Sequence, residues 1–203
     1  MLPYNELHWM IDLETLGTND NCIVIQAGLV LFDPTTDYIC KERSRNFLLD
    51  TKSQSRTRDI NHDTLIWWLE TNPTLLASLL TSKERTPVRD FLTSLRAMMY
   101  EDTIKGVWAN SPSFDLDIIK SLYDQAGHDL YNPISFRKER DVRTIKDLAK
   151  VGIPETEAEM VRRGFEVGAV HNAYYDAIFQ SVQVQLCYRK LGLSVPLSDA
   201  KNV

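Results

Sequence analysis

The chain has 203 residues, 43% hydrophobic and 25% charged, with a formal net charge of −5. That balance belongs to a water-soluble globular chain with enough length for a substantial core, and it excludes a general nucleic-acid-coating protein, though not a nuclease. No apolar run reaches membrane-spanning length and no charged-then-apolar leader opens the chain, so no membrane partner is expected. Cys22, Cys40 and Cys187 are scattered with no CxxC pair, which fits reduced thiols in a cytoplasmic protein rather than a zinc site or disulfide framework. One domain over residues 1–203 is expected, with a loose tail over 194–203.

Trp9 to Thr18 sets Asp12 and Glu14 two apart among apolar residues. In a strand, positions i and i+2 share a face, so both acids project together while Ile11 and Leu13 pack behind. Like charges so close call for a cation, and hard oxygen ligands suit Mg²⁺ or Mn²⁺. The bland alternative is an edge strand with two solvated acids.

Cys22 to Phe32 is a near-continuous apolar run and reads as a central strand. Asp33 to Asp37 is a turn, and Tyr38 to Leu49 a returning strand. The stretch from Asp50 to Asp59 reads as a polar loop in which Lys52, Arg56 and Arg58 form either a solvated surface or a basic lip. Asn61 or Asp63 then caps a helix through Ile66 to Leu69. Adjacent Trp67 and Trp68 stand about 100° apart around it. One packs in the core; the other packs too or offers a face to a stacking base.

Thr86-Pro87 opens a helix with Val88, Phe91, Leu92, Leu95, Met98 and Met99 at helical spacing. Gly106 to Ala109 reads as a short buried strand running into Asn110-Ser-Pro-Ser-Phe-Asp115, a helix start. Asp115 in that first turn is favoured by the helix dipole and lies where ligands collect at a sheet's edge. Arg137 to Lys146 carries five basic residues against two acidic ones, with a short strand around Arg140 to Val142 and a helix beyond. Val151 to Gly168 reads as irregular. His171-Asn-Ala-Tyr-Tyr-Asp176 leads into a long amphipathic helix ending at Gly192. His8 and His128 read as incidental, and His62 as a surface or substrate-side residue.

The order Asp12-x-Glu14, then Asp115, then His171-x-x-x-x-Asp176 resembles the DEDDh branch of the 3′→5′ exonucleases, which includes proofreading domains and RNase T. Ile11-Asp-Leu-Glu-Thr-Leu-Gly17, the tryptophan pair and Arg140-Asp-Val-Arg-Thr144 are similar to phage exonucleases of the DexA type and to RNase T-like exoribonucleases. The resemblance implies an α/β RNase H-like fold, a mixed five-stranded sheet with helices on both sides. It implies metal-dependent removal of nucleotides from the 3′ end of single-stranded nucleic acid, DNA rather than RNA, releasing 5′-monophosphates by a two-metal mechanism.

In that reading Asp12, Glu14, Asp115 and Asp176 hold two Mg²⁺, or Mn²⁺, while His171, with its near-neutral pKa, takes the proton of the attacking water. Thr15, Asn110, Trp67, Arg140 and Arg143 are candidates for substrate, the two arginines either for a phosphate or for anchoring the sheet. The expected partner is nucleic acid with a free 3′ end; the protein is a monomer or homodimer, free-standing in a bacterial or phage-infected cell. A non-cleaving nucleic-acid-binding module on the same fold is the alternative. An aspartate-nucleophile phosphatase fits less well, because Glu14 stands where that chemistry needs a second Asp.

Overall fold

The structure is a computed structural model and describes residues 6–100 and 104–194; positions 195–203 of the expected loose tail lie outside the described residues. Strands β1 (Leu7–Thr15), β2 (Val24–Phe32) and β3 (Ile39–Leu48) form an antiparallel meander. β4 (Ile104–Ala109) and β5 (Glu139–Asp141) then add in parallel on the other side of β1. The sheet order is β3-β2-β1-β4-β5, so the Cys22 to Phe32 run supplies an interior, fully buried strand as expected, and β1 stands beside it in the middle of the sheet.

Alternation along β1 sorts its side chains. Trp9, Ile11 and Leu13 enter the larger core with Phe91, Leu92 and Leu95 of α4 (Val88–Met99) and Leu116, Ile119 and Leu122 of α5 (Pro112–Ala126). Met10 faces the opposite layer, with Val142 of α6 (Val142–Ala149) and Ala177 and Val184 of α8 (Ala173–Lys190). Helices therefore cover both faces of a mixed five-stranded sheet, the RNase H-like arrangement.

Three stretches differ from the sequence reading. Asp50 to Asp59 contains a short helix, α1 (Thr51–Gln54), capped by Asp50, and Arg58 is neither lip nor solvated. Its guanidinium is buried, donating to the carbonyls of Cys22 and Asp20 at 2.7 Å and to Ser121 and Gln125 at 3.2 Å. The tryptophan helix, α2 (His62–Thr71), is capped by Asn61 and stops at Asn72, which caps α3 (Pro73–Thr81) in turn. Pro73 cannot continue the first helix but suits the first turn of the second.

Val151 to Gly168 contains α7 (Ile153–Arg162), entered through Gly152 and Pro154. Its buried positions, Thr156, Glu159 and Met160, are mostly polar, which hides the helical period. Glu159 survives burial because Arg162 and Arg163 donate to it at 2.6–2.7 Å, drawing its carboxyl down to about 2.

Candidate active site

The site forms where β1 outruns β4. Their pairing ends at Met10 and Trp108, leaving the β4-facing side of the last residues of β1 without a strand partner. The Leu13 amide donates there to Asp115 Oδ1 at 3.0 Å, tying the first turn of α5 to the strand that carries Asp12 and Glu14. Across the sheet, Asp12 pairs with Gly28. A Cβ on Gly28 would meet the Ala173 carbonyl oxygen at 2.1 Å, so only glycine lets α8 begin against the sheet. Gln26 Oε1 accepts from the Ala173 amide at 3.1 Å and fixes that docking.

The docked helix start delivers the third motif. His171 sits just before the Asn172 cap with φ 65°, left-handed for a residue with a Cβ. Its amide donates to Asp176 Oδ2 at 2.9 Å. Ligating atoms of Glu14, His171 and Asp176 all lie within 4.8 Å of one another. Gln180, one turn past Asp176 on the same helix face, donates to Asp12 Oδ1 at 2.7 Å.

Crowding and burial push the carboxyls up together. Asp12 rises well above the usual carboxylate range through burial, then the charges of Asp115, Glu14 and Asp176. Glu14 rises to about 8 through burial, then Asp176 and Asp115. Burial raises Asp115 to about 7 against the opposing Leu13 amide and Arg143, and Asp176 to about 6 against the His171 amide. Burial lowers the His171 imidazole from its ordinary value, which favours the neutral ring. Four oxygen-donor acids that resist ionising side by side fit divalent cations of the Mg²⁺ class. So does the buried Gln180 Oε1 beside them, which has no hydrogen-bond partner among the described residues.

Two clefts meet at Leu13 and Glu14. One, of about 470 Å³, runs past Asp12, Asn110, His171 and Asp176 toward α7. The other, of about 630 Å³, passes Thr15, Asn61, Trp67 and Phe114. Trp68 is buried and donates its Nε1–H to the Thr15 carbonyl at 2.9 Å; Trp67 stays 42% exposed on the cleft wall.

A family model described as the 3′-5′ exoribonuclease Rv2179c-like domain matches residues 7–188. The chain belongs to that family. This exonuclease domain is also 23% identical over 174 residues to an exodeoxyribonuclease of Enterobacteria phage T4, spanning 72% of the present chain and 77% of the phage protein. It shares its fold with the cell-death related nuclease CRN-4 (TM-score 0.60, 16% identity, 94% of this chain and 65% of that one). S. pombe Pop2p in a Mg²⁺- and Mn²⁺-bound form is similar at TM-score 0.62, 14% identity and 95% and 86% coverage. E. coli exonuclease I in complex with a dT13 oligonucleotide gives 0.65, 12%, 92% and 42%. The chain thus spans under two thirds of CRN-4 and under half of exonuclease I. The DEDDh-type 3′→5′ exonuclease assignment, and with it an enzyme, agrees with the order of the motifs.

The five residues named from the DEDDh pattern, Asp12, Glu14, Asp115, His171 and Asp176, stand together around the C-terminal end of the exonuclease domain's central strand β1. Of the substrate candidates, Thr15, Asn110 and Trp67 line the clefts, and Arg143 lies near enough to Asp115 to influence it. Arg140 departs from them: its guanidinium donates to the Arg137 and Glu139 carbonyls at 2.9 and 2.8 Å, anchoring the sheet edge. Sequence reading missed Gln180 and Lys146, which also line the first cleft. The four-residue step from Asp176 was the available signal for Gln180; Lys146 carried none beyond its basic neighbours. His8 is not incidental either. It is buried, and its Nδ1 accepts from Trp108 Nε1 at 2.7 Å.

Proposed function

We propose that the protein removes nucleotides one at a time from the 3′ end of single-stranded nucleic acid and releases 5′-monophosphates. The observation that carries this is the convergence of four acids from β1, α5 and α8 with His171 at the junction of two clefts. Asp12, Glu14, Asp115 and Asp176 would hold two divalent ions, Mg²⁺ or Mn²⁺. Such ions would offset charge on the phosphate, ease deprotonation of water and steady the leaving 3′ oxygen.

The chain's own groups do the rest. His171, aimed by its αL backbone and by Trp67 and Trp68, accepts the proton of the attacking water. Gln180 orients Asp12, and the Leu13 amide orients Asp115. The Trp67 cleft receives the terminal nucleoside, with the indole offered to the base and Thr15 and Asn110 on either side of the reacting phosphate.

DNA is the preferred substrate in this reading, in line with the name of the phage T4 relative; the family description, an exoribonuclease domain, supports RNA instead. The test uses 5′-labelled single-stranded DNA and RNA of one sequence with Mg²⁺, Mn²⁺ or EDTA. A ladder shortening from the 3′ end, lost in EDTA, is expected, and the faster strand names the substrate. Binding without cutting in every metal would leave the binding-module alternative standing.

A further inference from the structure

The two clefts differ in charge. Among the described residues, the one through Thr15, Asn61 and Trp67 has no lysine or arginine in its lining. The one toward α7 has a single such residue, Lys146, beside Asn110, Glu157 and Gln183. Lys146 is half-buried, and among the described residues no carboxylate lies within ion-pair distance of it. Arg143 precedes it by three residues on α6, hence on the same helix face, and likewise has no ion pair there. An ammonium with no carboxylate at ion-pair distance is available to an arriving anion.

Nucleic acid supplies that anion unevenly. A 3′-terminal nucleoside has no phosphate beyond the one being cut, so its slot needs no cation. The strand on the other side brings a phosphate with every nucleotide into a wall of acids on a chain of net charge −5. Resting on the exonuclease reading, we propose that Lys146, with Arg143 behind it, grips the phosphate on the 5′ side of the penultimate nucleotide. The strand thereby leaves the carboxylates over the start of α6. A lysine fits this duty: a flexible point charge holds a phosphate without the bidentate lock of arginine, and the strand has to advance after every cut.

The test compares two dinucleotides, dTpdT and its 5′-phosphorylated form pdTpdT, which differ by that one phosphate. The wild-type protein with Mg²⁺ is expected to favour pdTpdT about tenfold or more in kcat/KM. Lys146→Gln brings the ratio close to one, with the change in KM; Lys146→Arg restores most of it. A ratio that persists in Lys146→Gln overturns the proposal. So does equal loss on both dinucleotides, which would mean that Lys146 acts on the carboxylate centre instead. If the wild type cuts neither dinucleotide and shortens neither the longer single-stranded DNA nor the RNA, the exonuclease reading falls on its own, and Lys146 is judged by binding. In EDTA the log–log salt slope for a fluorescein-labelled (dT)10 drops by about 0.7 in Lys146→Gln if a phosphate contact is lost. An unchanged slope overturns it.

Discussion

The His171 imidazole stands edge-on to the exposed Trp67 indole, ring centroids 4.8 Å apart at 88°. Trp68 stands beside Trp67 and meets the same imidazole at 6.1 Å and 74°, so two rings from α2 brace a side chain that arrives from the start of α8. The strained φ of His171 is sustained by this packing and by its amide's bond to Asp176. His171→Ala is expected to cut the single-turnover rate by roughly 10²–10⁴-fold, the usual worth of a positioned general base. Mn²⁺ affinity should change little, because the four carboxylates are untouched. Normal cleavage by the variant would remove His171 from the chemistry.

Asp12→Ala and Asp176→Ala should abolish turnover by a different route. Each removes an acid from the crowded cluster, so calorimetric titration with Mn²⁺ should show a lost or much weakened binding event. A variant that binds Mn²⁺ as the wild type does, yet fails to cut, would contradict the ligand assignment.

The same cluster links metal to stability. Glu14 at about 8, Asp115 at about 7 and Asp176 at about 6 all lie above their unfolded values. For an acid raised by folding, the unfolded chain loses its proton first, so the metal-free protein loses stability as pH climbs from about 4 to about 8. Cations that bind the ionised cluster offset this loss. The rise in Tm on adding Mg²⁺ or Mn²⁺ should therefore be small at pH 5 and large at pH 8. A rise independent of pH would place the metal elsewhere.

Gly28 reaches the chemistry without touching it. Gly28→Ala puts a methyl into the Ala173 carbonyl, and backbone must move. A cost of about 1–3 kcal/mol is expected, visible as a lower Tm. Displacing α8 also shifts Asp176 and His171 relative to Asp12, so activity should fall by about 10²-fold. If the variant melts lower yet cuts at the wild-type rate, the docking of α8 does not set the site.

Strands and motifs were legible because they obey simple periods: alternation in Trp9 to Thr15, an unbroken apolar run for β2, and an acid just past a strand for Asp115. What escaped reading is what burial does to polar residues. Arg58 has the composition of a loop but works as an internal brace, and α7 buries Thr156 and Glu159 where a helix pattern needs apolar residues. Gly28 lay inside an apolar run with nothing in the sequence to mark the helix that would land on it. Trp67 and Trp68 were separable in angle but not in fate, since which one faces inward depends on the Thr15 carbonyl waiting across the fold.

His8 offers a prediction outside the site. Its Nδ1 accepts from Trp108, so the ring's proton sits on Nε2, and Phe32 packs against it at 6.2 Å. Burial, then the charge of Arg140, lowers its pKa to about 4. Between that value and the ordinary 6.5 the unfolded chain binds the proton and the folded chain does not. Stability from this group is thus full above about pH 6.5 and is lost as pH falls toward 4, on the order of 3 kcal/mol in all. His8→Gln keeps an acceptor for Trp108 without a titrating ring. Urea unfolding of both proteins at pH 7 and pH 4.5 isolates the effect, because the carboxylates titrate alike in each. The variant should lose less stability on acidification than the wild type; an equal loss would mean that His8 is protonated in the folded protein.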